Sequence, residues 1–201
     1  MALAMIQATT LETVKRYAIN AGVMVANMDF TSVTDAATFL AAAKKIPADL
    51  LGATSGTVDI SEGRKNWSPA HNDLRMPWKG AQWLDTAQPS IKATLVEMKE
   101  SNLKLASGGA DIEGENTNAV TIKPRTTYQE EDYKTITWFT NYGTEGIIAA
   151  TLKNALCTTG INFKADDKKV GTCDVEFLAH ADSPVDTDYL PIEYHIYKNA
   201  T

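Results

Sequence analysis

Short runs in which apolar residues fall at every second position, punctuated by turn signals, constrain this chain more than any other feature. In "SGTVDIS", Val58 and Ile60 share one face while Thr57, Asp59 and Ser61 share the other. In "GTCDVEFLAHA", Cys173, Val175, Phe177 and Ala179 oppose Asp174, Glu176 and His180. A period of two belongs to a strand with one buried face. "NAVTIKP", "DYKTITWFT", "GIIAATLKNAL", "INFKA" and "PIEYHIY" follow as further strand runs, with "TNYGTEG" and "KADDKKVG" as turns. "NAGVMVANMDF" reads as an edge strand or extended segment, and "SIKATLVEM", apolar on both faces, as a central strand covered on both sides. About eight short strands with one or two helices predict a mainly β chain, an antiparallel sandwich or barrel with a flanking α-helix.

"TSVTDAATFLAAAKKIP" is the clearest helix. Ser32 or Thr34 can cap it, Asp35 suits the positive end of its dipole, and Ala36, Phe39, Leu40 and Ala43 form its apolar stripe. Lys44 and Lys45 close it before Pro47. "KESNLKLAS" reads as a second short helix ended by Gly108 and Gly109. Thr9 with Glu12 matches a capping box, so residues 1–20 read as a short helix or an arm ahead of a single domain over 21–201.

Length and composition agree with one domain, since 201 residues at 44% hydrophobic content can bury one sizeable core. A balance of 19 Lys+Arg against 25 Asp+Glu, net −6, argues against a protein that grips nucleic acid. No run is long and apolar enough to cross a bilayer as a helix. "MALAMIQATT" lacks a basic n-region, and two cysteines make no disulfide framework, so the expectation is a soluble chain folded in a reducing compartment.

The chemistry that would mark an enzyme is not legible. "GATSGT" has no Lys-Ser/Thr of a phosphate loop, and its serine does not fall in the G-x-S-x-G spacing of a nucleophile elbow. His71, His180 and His195 are far apart, without metal-ligand spacing, and "DSPVDTD" lacks the Gly and Glu of a calcium loop. By strand parity Cys173 points into the core and His180 away from it, which excludes a Cys–His pair on that strand. The expectation is a non-enzymatic chain with no catalytic residue, cofactor or metal.

One long segment, residues 61–88, has no period at all and holds Trp67, Trp78 and Trp83, three of the four tryptophans. Aperiodic loops of this length are uncommon in compact domains. Tryptophan and arginine, here with Arg64 and Arg75, are the residue types that anchor protein interfaces. Glu62, Lys65, Asp73, Lys79 and Asp85 add both signs of charge, which suits docking on another copy. The alternative is a carbohydrate-binding β-sandwich that stacks sugars on Trp67, Trp78 and Trp83.

The order of these features resembles the major tail tube proteins of long-tailed, siphophage-type bacteriophages. "INAGVMVANMDF", "IPADLLGATSGTVDIS", "ATLVEMKESNLKLASGGAD", "VTIKPRTTYQEEDY" and "GIIAATLKNALCTTGINFKADDKKVGTCDVEFLAHAD" carry the likeness, which runs over most of residues 18–197. The Cys157 position is often serine in that family, in keeping with a structural thiol. The resemblance implies a β-sandwich with a flanking helix and self-association into stacked hexameric rings. It implies a virion location in the tail, synthesis in the host cytoplasm, and contacts with tape measure, tail-tip and tail terminator proteins. DNA would pass through the lumen without specific binding, and no membrane partner is implied. Residues 61–88 match the loop that reaches the neighbouring ring, making Arg64, Trp67, His71, Arg75, Trp78, Lys79 and Trp83 the candidate inter-ring interface. Asp166, Asp167, Lys168 and Lys169 form the candidate subunit-contact turn.

Overall fold

The computed structural model describes residues 18–45, 50–68, 79–114, 119–183 and 188–199. Twelve strands lie among them: β1 (Ala18–Ala26), β2 (Leu50–Ser61), β3 (Lys65–Trp67), β4 (Trp83–Thr86), β5 (Ser90–Leu95), β6 (Ala110–Glu113), β7 (Thr121–Pro124), β8 (Lys134–Tyr142), β9 (Gly146–Cys157), β10 (Asn162–Lys164), β11 (Thr172–Leu178) and β12 (Ile192–Lys198). The helices are α1 (Ala36–Lys44) and α2 (Glu100–Ala106). The main sheet is antiparallel throughout, in the order β10-β11-β5-β2-β1-β8-β9-β12. A further pairing of β11 with β9 at Phe177↔Cys157 and Leu178↔Leu156 closes six of these strands into a barrel. Strands β10 and β12 hang from the two sides of that seam.

The seam exists because β9 changes neighbour partway along its length. Its residues Gly146–Leu152 pair with β12, whereas Leu156 and Cys157 pair with β11. Between them Asn154 adopts φ 47°, a left-handed conformation that asparagine tolerates better than most residues. Its side-chain amide donates to the His180 carbonyl and to Asp182, while His180 Nδ1 lies 3.0 Å from the Asn154 carbonyl. The resulting bulge bends the strand and is held on both sides.

Inward-facing residues follow the alternation seen in the sequence. Met24, Ile91, Leu95, Ile136, Leu152, Cys173, Val175 and Phe177 are all buried in one cluster, with Leu105 and Ala106 of α2 packed against it. Helix α1 covers the outer face of β1, β8, β9 and β12, burying Val25, Ile147 and Ala149 beneath Ala36, Phe39 and Ala43. The Phe39 ring meets Phe139 edge-on at 4.9 Å and Tyr197 at 5.0 Å. Here Asp35, rather than Ser32 or Thr34, is the cap: Thr38 N donates to Asp35 Oδ1 at 2.8 Å and Asp35 N to Thr38 Oγ1 at 3.0 Å. Leu40, expected in the apolar stripe, is 42% exposed, because the helix meets the barrel along the narrower line of Ala36, Phe39 and Ala43.

Four further expectations are corrected. Strand β5 is central but covered on one face only, with Lys92 exposed on the other. Residues 61–88 are not without structure, since β3 and β4 pair within them as a two-stranded ribbon. Strand β1 is not an edge, since it pairs with both β2 and β8, and it begins at Ala18, inside the segment read as an arm; residues 1–17, with the Thr9–Glu12 capping box, lie outside the described residues. Hairpin β6–β7 is fastened to the barrel end by an enclosed ion pair between Arg125 and Asp132, whose side chains are 13% and 4% exposed.

Candidate functional site: a tryptophan-bearing arm and two open sheet edges

The arm grows from the β2–β5 pair. Ser61 and Ser90 are the last partners in that ladder, and from there the chain runs out through β3 and returns through β4. Gly63 stands at the base with φ 58°, and a Cβ there would come within 2.5 Å of the Gln88 carbonyl oxygen. Glycine is needed because the two legs of the arm pinch together at that point. The register places Trp67 directly opposite Trp83, with ring centroids 5.6 Å apart and planes tilted by 39°. Every residue of both strands is exposed, and the two indoles remain 56% and 53% accessible. Arg64 pairs with Glu62 at the foot, and Lys79 is exposed. His71, Arg75 and Trp78 lie outside the described residues.

The structure thus brings together Arg64, Trp67 and Trp83 of the expected interface. It adds Leu84, 47% exposed, whose place beside the tryptophans the sequence did not signal. Two large aromatic rings held against each other in water are costly unless another surface covers them. Between the arm's foot and β12 runs a cleft of about 470 Å³ lined by Glu62, Arg64, Leu84, Asp188, Tyr189 and Tyr194.

The charged turn is a separate feature on the far side of β11. Lys169 Nζ meets Asp166 at 3.0 Å, Lys168 lies 4.0 Å from Asp167, and all four side chains are exposed. These pairs neutralise one another, and at such exposure contribute little to stability. The neighbouring Phe163 and Val170 are 54% and 74% exposed.

Along the outer face of β2, β5, β11 and β10 the residues are mainly polar, with Leu178 opposite Ser90 at one end of the row. Asp59 pairs across to Lys92 and Lys92 to Glu176, whose carboxylate is 3.0 Å from the Lys92 amine. Thr94 donates to Asp174 at 2.8 Å, and Lys164 pairs with the same carboxylate. The Lys164 contact first, and Thr94 second, hold the Asp174 carboxyl below its ordinary range.

The two cysteines are free, buried and on the strands expected of them. Burial pushes the Cys173 thiol up, the opposite of what a nucleophile needs. Among the described residues no group of three or more His, Cys, Asp or Glu is arranged to hold a metal ion, and no helix is long and apolar enough to cross a membrane. A scan against models of known protein families and a search of curated proteins each found no match.

Proposed function

We propose that the chain is a structural subunit of a bacteriophage tail tube, assembling with copies of itself into stacked hexameric rings whose lumen conducts DNA into the host. The arm carries this reading. It interrupts the β2–β5 connection, its described residues are absent from the buried core, and they carry a half-exposed Trp67–Trp83 pair. It stands where the resembling family has the loop that reaches the next ring. Strands β10 and β12, at opposite ends of the sheet order, are edges that a ring of subunits would join. The mainly polar outer face and the net charge of −6 suit a surface past which a polyanion slides without being held. In such a tail, tape measure, tail-tip and terminator proteins would be the heterologous partners.

The competing reading is a glycan-binding module using the same tryptophans. The 39° tilt between the rings gives a wedge rather than a flat stacking platform, which favours docking against protein. Replacing residues 64–87 by an Asn-Gly turn should leave a folded barrel, because Gly63 and Gln88 already adjoin. Negative-stain images of the purified variant should then show no tubes under conditions where the intact chain forms them. Tubes of normal length from the shortened chain would overturn the assignment. Saturable glycan binding by a monomer that never polymerises would replace it with the module.

A further inference from the structure

The outer edge of β12 has a property that the inner ladder reveals. At its two ends, Lys153 N donates to the Pro191 carbonyl at 2.9 Å and Asn199 N to the Glu145 carbonyl at 2.8 Å. The register between these points is unbroken, from Ile192↔Leu152 to Lys198↔Gly146. In an antiparallel ladder hydrogen-bonded pairs alternate with non-bonded ones, so the odd-numbered residues turn their N–H and C=O toward β9. Ile192, Tyr194, Ile196 and Lys198 therefore turn theirs outward, and among the described residues no other strand pairs with that side. Tyr194 and Ile196 are 52% and 53% exposed on the same face. The edge has no proline, bulge or inward charge of the kind that keeps open strands apart.

We propose that this edge pairs with itself: β12 binds β12 of a second copy, antiparallel about a two-fold axis, continuing the sheet from one molecule into the next. One register uses all four outward residues and leaves none over, setting Ile192 opposite Lys198 of the second copy and Tyr194 opposite its Ile196. Both Tyr–Ile contacts are aromatic to β-branched, a favourable cross-strand pair. The ends of the strand are complementary as well. The Ile192 end opens on the cleft that carries Asp182 and Asp188, whereas the other end carries Lys198. Neither Asp188 nor Lys198 is in an ion pair among the described residues, and the two-fold axis brings each to the other twice. A contact that joins like to like closes on itself instead of propagating. It therefore covers one of the two edges that ring formation would need, and holds unassembled subunits as pairs. The pairing does not depend on the tail-tube reading, and is measured without tubes.

Sedimentation of the full chain across a concentration series tests it. The expected species is twice the 21.8 kDa monomer, dissociating on dilution. Ile196→Pro removes an outward N–H while sparing the β9 ladder, and should give a monomer with unchanged far-ultraviolet circular dichroism. Lys198→Glu should weaken the dimer by about tenfold, and combining it with Asp188→Lys should restore it. Should Ile196→Pro fail to fold, the charge exchange decides alone. A wild-type chain that stays monomeric at about 100 µM would overturn the proposal. So would an Ile196→Pro dimer of wild-type strength, or weakening by Lys198→Glu that Asp188→Lys does not reverse.

Discussion

The barrel has two halves with the same inner face and opposite outer ones. On β1, β8 and β9 the outer face also buries apolar side chains beneath α1: Met24 points inward and the next residue, Val25, outward, and both are completely buried. On β2, β5 and β11 the inward row is equally apolar, but the outward row reads Asp59, Lys92, Thr94, Asp174 and Glu176. The first half needs a cover and has α1; the second needs none and faces solvent. This outer row is rich in charge of both signs across three strands, with Leu178 opposite Ser90 at its end.

Three substitutions sharpen or break this contrast. The largest effect is expected from Phe39→Ala, which empties the contact between α1 and the covered half. A loss of about 3–5 kcal/mol is expected in denaturant unfolding, and a loss below about 1 kcal/mol would mean that α1 does not hold that half together. On the bare half, Lys92→Ala breaks the ladder with Asp59 and Glu176, and should cost less than about 1 kcal/mol in the same assay. A cost comparable with that of Phe39→Ala would erase the distinction. The smallest effect is a pH dependence. The Asp174 carboxyl is held below its ordinary value by Lys164 and Thr94, so its contribution is present above the unfolded-state value of about 3.9 and is lost as pH falls through the lower folded value. Asp174→Asn should therefore lower stability slightly near pH 7, where the contribution is present in full, and flatten the acid limb below about pH 4, where it is lost. An unchanged acid limb would show that the Lys164 contact is not maintained in solution.

Most of the barrel was legible because burial imposes a period. Strands β2, β8, β9, β11 and β12 were each visible as runs, and parity alone placed Cys173 inside. The arm was not, for the same reason in reverse: every residue of β3 and β4 is exposed, so no alternation marks them. Its residue types pointed to Trp67 and Trp83 as anchors, but their cross-strand pairing depends on a register set by the pinch at Gly63 and Gln88. Strand β6 was missed because four residues after a glycine pair carry too little pattern to separate them from a turn. Barrel closure was out of reach too. It rests on one left-handed asparagine in the middle of an apolar run, and nothing in the local pattern distinguishes Asn154 from an ordinary polar position.

That asparagine also divides mechanical duties along a single strand. All seven pairs between β12 and β9 lie before it, and both pairs that close the barrel lie after it. A pull on β12 from a neighbouring molecule is thus borne by one stretch of β9, while the seam that seals the core sits on another. Strand β12 is tied to the barrel by the first stretch, by Ile192 in the core and by the Tyr197 contact with α1, while Leu156 and Cys157 make the closure separately.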